Sequence, residues 1–198
     1  MSDFFKTLAA PSEGLYKEKM SKFLSFAIPV QSAAEAKEII KQYQKRFYDA
    51  RHVCWAYMIG TDRSEFLSSD NGEPSGTAGK PILGQINSFG LTNVLIIVVR
   101  YFGGILLGTS GLIVAYREAA AEAIANAEIL ECHEQGTVSF SFPYLGMNDV
   151  MKLVKRENLK VTAQDFDNVC KMTIQANLDD IPALKGKIAD IDGTSLIE

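Results

Sequence analysis

Six consecutive aliphatic side chains, Val94-Leu95-Ile96-Ile97-Val98-Val99, end abruptly on Arg100. A strand that is apolar on both faces needs cover on both sides, so this run predicts a central strand between packed layers. It is the longest aliphatic stretch of the chain, and it falls far short of the roughly 20 residues that a membrane-crossing helix requires. Arg100, at its carboxyl end, must reach water, a carboxylate or a ligand, because burying an unpaired charge is costly. Asp70 and Glu73 are the candidate partners, and a structural ion pair and a ligand contact both stand as explanations.

On either side of this strand lies a glycine-rich segment that feeds a helical pattern. Asp70-Asn71-Gly72-Glu73-Pro74-Ser75-Gly76-Thr77-Ala78-Gly79-Lys80-Pro81 precedes Ile82, Leu83, Ile86 and Phe89, which are spaced as on a helix ending at Gly90. Backbone N–H groups and hydroxyls at a helix start suit an anion. Asp70, Glu73, Ser75, Gly76, Thr77 and Lys80 are therefore candidate ligand or nucleic-acid contacts. The segment is not a Walker A loop, since Lys80 is followed by Pro81 and the glycine spacing differs. The competing reading is a tight turn that needs glycine for positive φ.

The second segment, Gly103 to Gly111, follows Arg100, Tyr101 and Phe102 and opens an alanine-rich helix expected over 112–127. Its candidate contacts are Gly103, Gly104, Thr109 and Ser110. Arg100, Tyr101 and Arg117 complete the set, a guanidinium being able to grip an oxyanion through two N–H groups. Alternatively, Gly103 and Gly104 only let strand and helix pack closely.

Elsewhere the pattern alternates between the two periodicities. Residues 22–30 have strand spacing, with Leu24, Phe26 and Ile28 on one face. Ser32 then caps an amphipathic helix through Ala36, Ile39, Ile40, Tyr43 and Phe47, with Glu35 placed for a capping box. Residues 52–59 and 64–68 read as a hairpin joined through Gly60 to Arg63. Beyond Glu134 the elements are shorter: strand 137–142, helix 146–157, strand 160–166, strand 169–176, helix 179–191 and strand 194–197. That βαββαβ order is the ferredoxin-like signature, with Asp167-Asn168 as the turn between the middle strands. The expected domains are 1–133 and 134–198, and the fold class is α+β.

At 198 residues, with 47% hydrophobic and 22% charged side chains, the chain has enough apolar surface to close a core in each half. Its net charge of −4 argues against nucleic-acid binding through bulk positive charge. Residues 1–133 carry 13 basic and 14 acidic groups, and residues 134–198 carry 7 and 10, so any such contact must be local. Cys54, Cys132 and Cys170 form no C-x-x-C pair and read as reduced thiols of the cytoplasm. The N-terminus lacks the basic start and apolar stretch of a secretory signal. Only His52 and His133 are present, at no metal-ligand spacing, so neither a metal nor a cofactor is expected. His52 and Cys54 share a strand face, but a core thiol explains Cys54 better than a nucleophile does, and no catalytic residue is assigned.

The segment from Asp70 to Leu83, then Leu91-Thr92-Asn93-Val94, then Val99-Arg100-Tyr101-Phe102-Gly103-Gly104-Ile105-Leu106-Leu107-Gly108, resembles the signature of the YigZ/IMPACT family. Tyr48 to Tyr57 and the βαββαβ tail are also similar to that family. Asn71 and Lys80 stand where aspartate and arginine are often seen. The resemblance implies an N-terminal domain of the ribosomal-protein-like β-α-β type, followed by a ferredoxin-like domain similar to one in elongation factor G. It also implies a translation-linked regulatory or binding role, eukaryotic members being restrainers of an amino-acid-starvation kinase. The expected partners are RNA, the ribosome or a translation-regulatory protein, with no membrane; oligomeric state is not indicated. The alternative is an enzyme acting on a phosphorylated or nucleotide substrate, supported by fold analogy alone.

Overall fold

The computed structural model describes residues 4–167 and 169–197. It is a mixed α+β structure whose chain divides into two compact units, Phe4–Cys132 and His133–Glu198. In the first, β1 (Phe4–Leu8), β2 (Ser12–Glu18) and β3 (Ser21–Pro29) lead into α1 (Ala33–Arg46). β4 (His52–Ile59), β5 (Glu65–Ser69), α2 (Gly79–Ser88), β6 (Val94–Tyr101), α3 (Gly108–Ala125) and β7 (Ile129–His133) follow. Five strands form one sheet in the order β2-β3-β6-β4-β5, each neighbouring pair antiparallel, and β1 pairs with β7 separately.

The aliphatic run is the centre of that sheet, and Val94 to Val99 are all fully buried. Burial of each such side chain stabilises the unit by about 1.5–3 kcal/mol. Val94, Ile96 and Val98 face a core closed by Ile82 and Ile86 of α2 and by Tyr116, Ala119 and Ala123 of α3. Leu95, Ile97 and Val99 face a second core closed by Ala36 and Ile40 of α1. The connections β3–α1–β4 and β5–α2–β6 each join two parallel strands with one strand between them; the β3/β4 pair is antiparallel to the β5/β6 pair, and the two connections run in opposite senses across the sheet on opposite faces. They are therefore of opposite hand, so one departs from the right-handed preference. The expected cap of α1 is present: the Glu35 amide donates to Ser32 Oγ, and the Glu35 carboxylate accepts from the Gln31 amide at 2.7 Å.

The second unit runs β8 (Gln135–Phe142), α4 (Met147–Arg156), β9 (Lys160–Phe166), β10 (Cys170–Asn177), α5 (Ile181–Ala189) and β11 (Ser195–Ile197). Its antiparallel sheet has the order β11-β8-β10-β9. Phe140, Phe142, Met172 and Ile174 pack on Val150, Leu153, Leu184 and Ile188 of the two helices. Of the turn expected at Asp167-Asn168, Asn168 lies outside the described residues. No helix among the described residues is long and apolar enough to cross a membrane.

Candidate binding site

Sheet register sets Arg100 opposite Phe23 on one neighbouring strand and His52 on the other. These three residues share the sheet face covered by α2 and α3. Arg100 is 5% exposed, and its Nη1 donates to Glu73 Oε1 at 2.6 Å. The Tyr116 hydroxyl of α3 donates to the same oxygen at 2.7 Å. His52 Nε2 stands 3.7 Å from Glu73 Oε2, while His52 Nδ1 donates to the Asn71 carbonyl at 2.8 Å. That bond holds the proton of the neutral ring on Nδ1, so Nε2 carries one only in the imidazolium. Glu73, not Asp70, is thus the partner that the buried arginine required.

Cys54 lies beneath this network and donates its thiol to the Asp70 carbonyl at 3.0 Å. Burial pushes the thiol up to about 12, the Tyr116 hydroxyl pulling the other way and the Glu73 and Asp70 charges adding to the rise. It is a protonated core group, without thiolate character at neutral pH. Burial, then Cys54 and Glu73, pushes the Tyr116 hydroxyl far above its ordinary range.

Much of the first glycine-rich segment's amide array is already taken within the loop. The Asp70 carboxylate accepts from the amides of Gly76 at 2.8 Å, Ala78 at 3.0 Å and Gly79 at 2.8 Å. Burial alone would raise this carboxyl, but those amides and the Lys80 charge outweigh it and hold the group below its ordinary value. The Thr77 hydroxyl donates to the Pro74 carbonyl at 2.6 Å. Asp70 with the amides of Gly76, Ala78 and Gly79 therefore forms a self-filled anion site, and the Thr77 hydroxyl is held by its own turn, so Asp70, Gly76 and Thr77 are engaged within the loop rather than offered to a ligand as expected. Ser75 is exposed on this loop, and Lys80 is exposed in the first turn of α2.

The second segment also departs from expectation in part. A Cβ on Gly103 would fall 2.1 Å from the Met20 backbone carbon, and the Gly103 amide donates to Ser21 Oγ at 3.2 Å. Gly103 is thus a packing residue, and Gly104 adopts φ +90° in the same bend. Tyr101 belongs to the opposite sheet face, where its hydroxyl donates to Asp49 at 3.0 Å. Arg117 is exposed and pairs with Glu118 at 3.2 Å. Ser110 lines a separate groove with Tyr16, Glu18 and Lys19.

The two segments nevertheless meet. Gly72, Glu73 and Pro74 of the first, and Phe102, Leu106, Leu107, Gly108 and Thr109 of the second, wall one open cleft of about 450 Å³ together with Arg51, His52, Arg100 and Leu112. The Arg51 and Arg100 guanidinium carbons each lie 5.5 Å from the centre of the Phe102 ring. Of the residues expected from sequence, the cleft gathers Glu73, Arg100 and Thr109. Arg51 was missed as a site residue because the register of β4 against β6 brings it to Arg100, which no local pattern records; Phe102, two residues beyond Arg100, and the Leu106–Gly108 stretch belong to the second segment, though they were not singled out as contacts.

Fold and cleft together define a two-unit α+β protein whose buried arginine–glutamate pair lines an open concavity. Residues 19–124, the stretch that holds the cleft, match the family model described as Impact N-terminal domain. The chain belongs to the IMPACT family. It is 29% identical to IMPACT family member YigZ of Escherichia coli across 95% of this chain and 93% of that protein. An IMPACT family member of Haemophilus influenzae is 31% identical across 91% of this chain and 84% of its own length. A solved structure described as the crystal structure of a hypothetical protein aligns over 100% of this chain and 99% of its own, with a TM-score of 0.72 at 27% identity.

Proposed function

We propose that the chain is a translation-linked regulatory binding protein of the cytoplasm, contacting RNA, the ribosome or a translation-factor partner through the cleft of its first unit. The observation that carries this reading is the meeting of both glycine-rich segments around Arg100 in one solvent-open concavity. Exposed Arg51 stands at that cleft, and exposed Lys80 lies in the first turn of α2, which follows the first glycine-rich segment, so an acidic chain still offers local positive charge. Family membership supports the link to translation, and three free cysteines among the described residues are consistent with a reducing compartment.

In this reading the domains are 1–133, a ribosomal-protein-like β-α-β unit, and 134–198, a ferredoxin-like unit similar to one of elongation factor G. The element order and the sheet order β11-β8-β10-β9 support the second assignment. The test is co-sedimentation of the chain with ribosomes at low salt, comparing wild type with Arg51→Glu, an exposed substitution that leaves the buried network intact. Association that weakens with salt and drops with Arg51→Glu is expected. No pelleting at low salt contradicts the proposal.

A further inference from the structure

The wall of the cleft contains the start of α3, an 18-residue helix whose N-cap, Leu107, supplies no side-chain hydrogen bond. Gly108 and Thr109, the first two helical residues, line the cavity. Uncapped first-turn N–H groups carry partial positive charge and favour an oxyanion. A second, independent feature points the same way: Arg100 lines the same cleft, is 5% exposed, and its Nε is buried without a hydrogen-bond partner. A native protein rarely leaves such a donor unmet.

Glu73 also lines the cleft, and its charge would oppose an anion. Its Oε1 already accepts from Arg100 and Tyr116, so Arg100 offsets it, and Arg51 and the helix start remain to receive a further negative group. His52 also lines the cleft, its Nδ1 bonded to the Asn71 carbonyl and its Nε2 facing Glu73 Oε2, and the other side chains of the lining, Pro74, Phe102, Leu106, Leu107 and Leu112, are apolar. A volume of about 450 Å³ lies within the range of small-molecule sites.

We propose that this cleft binds a terminal phosphate monoester carried on a planar ring: a nucleoside 5′-monophosphate, either free or as the first nucleotide of an RNA strand. The inference rests on the reading above for the location of the site. A terminal rather than an internal phosphate follows from depth. Arg100 lies at the buried floor, where an end group reaches it and a phosphodiester running along a strand does not. The ring lies against Phe102 and the leucines, while the phosphate meets the Gly108 and Thr109 amides, Arg100 Nε and Arg51.

Equilibrium dialysis of the full chain tests this with adenosine 5′-monophosphate against adenosine, and with 5′-phosphorylated against 5′-hydroxyl tetra-adenylate. The phosphorylated member of at least one pair is expected to bind about tenfold or more tightly than its partner. Preference in the nucleotide pair alone assigns a free ligand, and preference in the tetranucleotide pair an RNA end. Thr109→Asp places a carboxylate in the first turn of α3, where it favours the helix but repels a bound phosphate. It is expected to keep or raise Tm while removing the preference. No preference in either pair overturns the inference, and so does a preference that survives Thr109→Asp. Ribosome co-sedimentation without phosphate preference leaves the broader reading standing while this one falls; phosphate preference without co-sedimentation does the reverse.

Discussion

At the scale of single residues, the site depends on two carboxylates with different tasks. Glu73 neutralises a buried guanidinium, and its side chain is 3% exposed against 6% for that of Arg100. Removing one member of such a pair strands the other, so Glu73→Ala is expected to cost about 3–5 kcal/mol in urea denaturation. Glu73→Gln, which keeps an acceptor for Tyr116, should cost less. Asp70 instead holds three amides of its own loop. Although burial opposes ionisation, the amides and Lys80 depress its folded pKa below the ordinary 3.8. A carboxyl that is more acidic when folded contributes stability present above about pH 4 and lost as pH falls through its lower folded value. The stability gap between wild type and Asp70→Asn should therefore narrow on acidification through that window, as measured by denaturation at a series of pH values. A constant gap would mean that the carboxylate charge plays no part.

Between elements, close approach is enforced by glycine at particular points. The Gly103 position, where a Cβ would come 2.1 Å from the Met20 backbone, docks the end of β6 on the β2–β3 turn. Gly103→Ala is expected to destabilise by about 1–3 kcal/mol or more. Gly84, inside α2, should behave oppositely, because a methyl group added there would meet nothing within 4 Å. Gly84→Ala is expected to stabilise by roughly 0.5–1 kcal/mol, and calorimetric Tm values of the two variants check both signs. The same geometry explains which elements were legible. β6, β4, α1 and the whole second unit announce themselves through periodicity. β2 does not, because its inward positions are Ser12, Gly14 and Tyr16, and Gly14 is required where a Cβ would come 2.6 Å from the Ala123 amide nitrogen of α3. The first loop displays donors in sequence, but only folding reveals that Asp70, six to nine residues upstream, is their acceptor. Arg100 needing a partner was legible from burial alone; Arg51 joining it was not, since that follows from the alignment of β4 with β6.

Across the whole molecule, the net charge of −4 makes long-range attraction to nucleic acid weak. The proposed contact would rest on the few cations at the cleft, so the logarithm of any ribosome affinity is expected to fall with the logarithm of salt at a slope of roughly −1 to −2. A steep slope would point to a broader basic contact than the cleft cations provide. The proposed contact surface is the cleft between Gly72–Pro74 and Phe102–Thr109. Amide NMR of the full chain during titration with 5′-phosphorylated tetra-adenylate reports on it residue by residue. Shifts concentrated at Glu73, Phe102, Gly108 and Thr109 are predicted; shifts confined to the second unit or to Ser75 and Lys80, or none at saturating ligand, would contradict it.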